Sequence, residues 1–244
     1  MKYEEVSWFS ERLNRHMNIK IYGHYGVPVI AFPCLGKQSD DFYNNGMIDV
    51  LSPFIEGGRM KLFCLDSNDD ETVNSSNWDK AKCGYKFEMY HQYLVNEVMP
   101  LIYDKQGGFC MPYLIGMSMG GTHASNNFFR RPDLFAGFIA LSAEYSIGNY
   151  FHYMDENIYN NSPTHYLANM PKDHYYIDLY NQRKMISVVG EGAYEYLVIE
   201  SNYELRNIAY EKGINIEFHF WDHNSIHDWP SWKYQLPIFL EKIL

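Results

Sequence analysis

Seven short apolar runs punctuate the chain: residues 18–23 (NIKIYG), 27–32 (VPVIAF), 61–66 (KLFCLD), 112–117 (PYLIGM), 137–142 (GFIALS), 185–190 (MISVVG) and 214–221 (INIEFHFW). Most are rich in β-branched or aromatic side chains and bounded by Gly, Pro, Asn or Asp, the pattern of buried strands. Between them the apolar positions shift to helical spacing. Tyr90, Leu94, Val98 and Leu101 mark one helix face before a stop at Gly107 and Gly108, and Val198, Ser201, Leu205 and Ile208 mark another before Gly213. Strands alternating with helices predict an α/β fold with a mostly parallel central sheet and helices on both faces. No repeat, low-complexity tract or linker interrupts the pattern, so one domain over residues 1–244 is expected.

Residues 143–180 break the rhythm. They carry eight tyrosines with several Asn and His and no sustained period, which predicts an irregular, cap-like insertion. Tyrosine combines apolar area with a hydroxyl, so the segment reads either as the wall of a binding site or as a solvated covering layer.

The run PYLI leads into GMSMGG and then the helical pattern ASNNFFRRPDLF. A serine between glycines at the carboxyl end of a strand is the nucleophile-elbow signature of α/β-hydrolases. The glycines remove Cβ atoms that would collide in so sharp a turn. At about 7% Gly and Ser, GxSxG arises by chance in roughly one chain in fifteen of this length, so its placement between strand and helix carries the argument. Ser118 is the candidate nucleophile.

A serine hydroxyl needs a base, and the base needs a carboxylate to orient it. In this fold the chain order is Ser, acid, His. The stretch WDHNSIHDWPSW holds His223 and His227, and His227 is preferred because Asp-Trp-Pro after it would open the last helix and hold the ring on a loop. His219 alternates with the apolar face of its strand and reads as a surface or packing residue. The acid belongs after MISVV, where GEGAYEYL offers Glu191 and Glu195, with Asp178 before and Glu200 after. Glu195 is preferred at the junction of loop and helix. For the oxyanion hole, one N–H belongs to Met119, next to the serine. The second comes from the loop PCLGKQSDDF, where Cys34, Leu35 and Gly36 compete.

Blander readings suit the remaining candidates. His123 reads as a packed or surface residue, Asp66, Asp69 and Asp70 as turn residues and caps, and Trp229 and Trp232 as anchors of the last helix. The net charge of −10 argues against nucleic acid and anionic membranes as partners. No apolar stretch is long enough to span a bilayer and no signal peptide is evident, so a cytoplasmic protein is expected. Cys34, Cys64, Cys83 and Cys110 form no CxxC pair and read as reduced core thiols.

The stretches GMSMGG followed by RRPDLFAGFIALS, GEGAYEYL, HDWPSWKYQLPIFL and the opening WFSERLNRHMNIKIYGHYGVPVIAFP together resemble the esterase D-like branch of the α/β-hydrolases. That branch includes S-formylglutathione hydrolases, feruloyl-type esterases and a group of acyltransferases. The chain is most similar to small bacterial esterases within it, over nearly its whole length. The resemblance implies Ser118 as nucleophile, His227 as base, Glu195 as the acid, and the N–H groups of Met119 and Leu35 as the oxyanion hole. Glu195 stands where the family more often has Asp, and the usual Gly before Leu35 is absent. The expected substrate is a small ester or thioester, with no cofactor and no metal. Acyl transfer with the same residues and a non-catalytic binding member of the fold are the alternatives. The sequence leaves a homo-oligomer open.

Overall fold

A computed structural model describes residues 1–76 and 79–244. In chain order the elements are β1 (Tyr3–Ser10), β2 (Arg15–Tyr22), β3 (Val27–Phe32), α1 (Asp41–Asn44), α2 (Met47–Glu56), β4 (Met60–Leu65), α3 (Lys80–Tyr93) and α4 (Met99–Gln106). There follow β5 (Tyr113–Met117), α5 (Met119–Arg130), β6 (Gly137–Leu141), α6 (Gly148–Phe151), α7 (Glu156–Tyr159), α8 (Pro163–Asn169) and α9 (Tyr175–Asn181). The chain ends with β7 (Lys184–Val189), α10 (Ile199–Lys212), β8 (Glu217–Phe220) and α11 (Trp229–Leu240). The strands form one eight-stranded sheet in the order β1-β2-β4-β3-β5-β6-β7-β8. β1 and β2 run antiparallel at one edge, and every pairing from β4 to β8 is parallel.

Each of the seven apolar runs overlaps a strand. The eighth, β1, has no apolar run of its own because one of its faces is open to solvent: Tyr3, Glu5, Ser7 and Phe9 face outward and only Ser10 is buried. Its inner face is tied down by Glu97, which accepts hydrogen bonds from Trp8 Nε1, Ser10 Oγ and Arg12 N–H. Glu97 lies in a π-helical turn, Leu94–Val98, that joins α3 to α4 without a break in the helical backbone.

Alternation along the parallel strands sends side chains to opposite layers. Ile30 and Phe32 of β3, with Phe63, Leu114 and Phe138, pack against α3, α4, α5 and α10 through Tyr90, Ile102, Phe128 and Leu205. Val29 and Ala31, with Leu62, Ile115 and Ile139, pack against α2 and α11 through Leu51, Ile55, Leu236 and Phe239. The helix after the elbow is shorter than the run ASNNFFRRPDLF implies. It stops at Arg130, because Pro132 disfavours helical backbone at the residue before it, and Arg131 is already at φ −139°.

Residues 143–180 fold as four short helices. Tyr145 and Tyr180 are fully buried and bond to Ser187 Oγ and the Phe129 carbonyl, whereas Tyr153 and Tyr175 face solvent. The segment thus supplies core as well as covering. Cys64 and Cys83 are buried, Cys34 and Cys110 half-buried, and all four are free thiols. Among the described residues no helix is long and apolar enough to cross a membrane.

Candidate active site

The carboxyl ends of β5, β6 and β7 and the loop after β8 meet at Ser118. Its backbone sits at φ 54°, ψ −126°, a left-handed strain that costs about 1–3 kcal/mol and is held by its N–H to the Leu141 carbonyl at 2.9 Å. The flanking glycines are required by contact. A Cβ on Gly116 would lie 2.2 Å from the Gly120 carbonyl carbon and oxygen, and one on Gly120 would lie 2.3 Å from Phe32 O. The second contact also seats the start of α5 directly against the end of β3 and the loop that follows it.

Ser118 Oγ donates to His227 Nε2 at 2.9 Å, and His227 Nδ1 donates to Glu195 Oε2 at 3.2 Å. Glu195 is fully buried. Its Oε1 accepts from Ser142 Oγ at 2.6 Å and from Gly190 N–H at 3.2 Å. Ser142, itself at φ 51°, accepts from Trp232 Nε1 at 2.9 Å, and the same indole meets the His227 ring edge-on. Trp232 therefore anchors α11, as its sequence position implies, and also walls the imidazole.

Two loops set this register. Gly192 N–H donates to the Ser225 carbonyl and His227 N–H to the Ala193 carbonyl, both at 2.9 Å. Gly190 and Gly192 allow the approach, since a Cβ on either would fall within 2.1 and 2.4 Å of Ser225 O respectively. The turn into Glu195 passes through Tyr194 in the left-handed region. Glu191 and His223, the sequence alternatives, face away into solvent and approach each other at 3.3 Å. His219 pairs with Glu217 on β8.

Of the three contenders in the loop after β3, two N–H groups are already committed. Cys34 N–H donates to Asp41 Oδ2 at 2.9 Å and Gly36 N–H to Asp69 Oδ2 at 2.8 Å. Leu35 N–H meets no acceptor among the described residues. The Leu35 side chain packs against the buried cluster that contains Met119, Ile147 and Phe151. Burial beside Asp41 pushes the Cys34 thiol well up, which keeps it protonated and unreactive at neutral pH.

His123 is fully buried, stacked on Phe87 and Phe32, with Nε2 3.3 Å from Asp69. Asp66 takes N–H groups from Asn18 and Ser39, and Asp70 pairs with Arg15, as turn residues would. Sequence reasoning overlooked Ser142 and Asp41. Neither carries a motif: Ser142 closes the strand run GFIALS, and Asp41 stands in the polar stretch QSDDFYNN.

With this geometry in place, comparison with known proteins is informative. The chain matches the family model described as "Putative esterase" over residues 10–243. No curated protein matches it significantly. Among solved structures it is similar to a ferulic acid esterase (18% identity, 100% of this chain and 99% of that one, TM-score 0.74). It is also similar to an S-formylglutathione hydrolase from Agrobacterium tumefaciens (15% identity, 98% and 93% covered, TM-score 0.73). A third likeness is to the fluorophosphonate-binding serine hydrolase F of Staphylococcus aureus (15% identity, 98% and 97% covered, TM-score 0.66). At these identities the structures share the α/β-hydrolase fold. The family match extends from the end of β1 through α11, and the chain belongs to this esterase family of carboxylic ester hydrolases.

Proposed function

We propose that the chain is a serine hydrolase that cleaves carboxylic esters or thioesters through an acyl-enzyme on Ser118. The observation that carries this reading is the 2.9 Å contact from a strained, half-buried Ser118 hydroxyl to His227 Nε2. Ser118 Oγ attacks the carbonyl carbon while its proton passes to Nε2. The imidazolium that forms is stabilised by Glu195, which keeps the ring's other proton on Nδ1. The oxyanion accepts N–H bonds from Met119 and Leu35, donors fixed before the charge develops. Collapse returns the proton from Nε2 to the leaving oxygen or sulfur and leaves Ser118 acylated. Water, giving a proton to His227 Nε2, then attacks the acyl carbon, and that proton passes to Ser118 Oγ as the carboxylic acid leaves.

The related structures span both leaving-group types, an oxyester in the ferulic acid esterase and a thioester in the S-formylglutathione hydrolase. The test is Ser118→Ala. It should abolish hydrolysis of p-nitrophenyl esters and labelling by a fluorophosphonate, with the circular dichroism spectrum unchanged. Labelling that persists in the variant refutes Ser118 as nucleophile.

A further inference from the structure

The loop after β3 carries the oxyanion donor proposed above, and its tip at Gly36 and Lys37 is exposed to solvent. Its conformation is fixed by two buried carboxylates outside the Ser118–His227–Glu195 line. Lys37 N–H closes a turn onto the Cys34 carbonyl at 3.0 Å, with Gly36 at φ 69°, the position where a type II turn calls for glycine. Asp41, 3% exposed at the start of α1, takes the N–H before Leu35, and its other oxygen accepts from Asn45 Nδ2 at 3.0 Å. Asp69, fully buried beyond β4, takes the N–H after Leu35, and its other oxygen faces His123 Nε2. His123 Nδ1 has no partner among the described residues, so the ring's proton belongs on Nε2, pointing at Asp69. His123 lies on α5, one turn beyond the elbow. The chain Gly36–Asp69–His123 therefore ties the loop to the helix that bears Met119.

We infer that Asp41 and Asp69 are positioning residues that occupy the N–H groups on either side of Leu35, leaving the Leu35 N–H, of the three contenders, to donate to the oxyanion, with Asp69 locked by His123. This rests on the proposed hydrolase reading and adds to it the means by which the second donor is aimed. A carboxylate suits the task because two acceptor oxygens let each side chain grip the loop with one and be gripped through the other. If the clamp were lost, Gly36 N–H would be free and the turn could rotate Leu35 N–H out of line, removing a contact made only when the oxyanion exists.

The experiment uses the full chain with Asp69→Ala and Asp69→Asn. It reads kcat and KM on p-nitrophenyl acetate, the affinity for phenylboronic acid, whose serine adduct mimics the tetrahedral intermediate, and the Tm. Asn keeps an acceptor oxygen for Gly36 N–H, but its amide can donate to His123 Nε2 only with the ring proton on the partnerless Nδ1, so it keeps the grip on the loop and weakens the lock to α5. The inference expects Asp69→Ala to lower kcat about 10- to 100-fold with KM within about threefold, and boronate affinity to fall in parallel. Asp69→Asn should restore both to within about fivefold of the parent. A kcat that is unchanged in Asp69→Ala, or that falls equally in Ala and Asn in step with Tm, overturns it. Should Asp69→Ala fail to fold, Asp41→Ala reads the same quantities from the other side of Leu35, with the same outcomes for and against. Ser118→Ala separates the two levels. Turnover retained there sinks the hydrolase reading itself, whereas turnover lost there with Asp69→Ala unaffected sinks only the clamp.

Discussion

Two serines at the carboxyl edge of the sheet occupy backbone conformations that non-glycine residues avoid, and each is held there by a hydrogen bond to the neighbouring strand. Ser118 N–H reaches Leu141 O on β6, and Ser142 N–H reaches Val188 O on β7 at 2.7 Å. The strain costs about 1–3 kcal/mol at each and persists because parallel pairing on both sides over-determines the position. Two residues beyond Ser142, Glu144 is 4% exposed, with Oε1 accepting from Ser146 N–H. Burial pushes its carboxyl up from 4.5 to about 7. The folded state therefore keeps a proton that the unfolded chain releases between about pH 4.5 and 7. The associated stability is fully present below that window and is lost as the pH rises through it. Glu144→Gln should remove this slope: the parent should lose on the order of 2–3 kcal/mol more than the variant between pH 5 and 8. Urea midpoints at the two pH values measure it, and parallel losses in both proteins would show that another group titrates.

At the level of elements, the site depends on two loops held face to face, 190–195 after β7 and 222–227 after β8. Glycine at 190 and 192 permits main chain to touch main chain, and the bonds Gly192 N–H to Ser225 O and His227 N–H to Ala193 O fix Glu195 opposite His227. Gly192→Ala puts a Cβ against the Ser225 carbonyl, a neighbour that cannot swing aside. The loops must separate by a fraction of an ångström or more, and kcat should fall by about 10- to 100-fold while the Tm changes little. Steady-state kinetics alongside a melt test this, and an unaltered kcat would show that loop spacing does not set the ring's position. The same contacts explain what the sequence could reveal. The elbow was legible because GMSMGG encodes it within six residues. The choice of Glu195 over Glu191 rested on a junction between loop and helix, because both lie on one loop four residues apart and only a partner distant in sequence distinguishes them. Ser142 and Asp41 carried no local signature, since what matters about each is a partner outside its own element, Glu195 in one case and the Cys34 amide in the other.

On the scale of the molecule, both helical layers rest on the same strands. In β3 alone, Val29 and Ala31 belong to one layer and Ile30 and Phe32 to the other, and β4, β5, β6 and β7 divide in the same way. That shared sheet was readable from the apolar runs, whereas β1 and the tyrosines of 143–180 were not. β1 leaves one face open to solvent along its length, Tyr145 lies in the irregular stretch before α6, and Tyr180 sits on a helix too short to show a period. Strands common to both layers cannot lose one set of contacts and keep the other intact, so unfolding should be a single cooperative event over the chain. Phe128→Ala, on the α5 side, and Phe239→Ala, on the α11 side, each remove a fully buried ring. Each should cost about 3–5 kcal/mol and lower the Tm by about 6–20 °C. In both variants far-ultraviolet circular dichroism, tryptophan fluorescence and residual ester hydrolysis should share one midpoint. If Phe239→Ala instead shifted the fluorescence and activity transition while the circular dichroism midpoint stayed in place, the two layers would be separable. The residues at the carboxyl edge would then be held by the α11 layer alone.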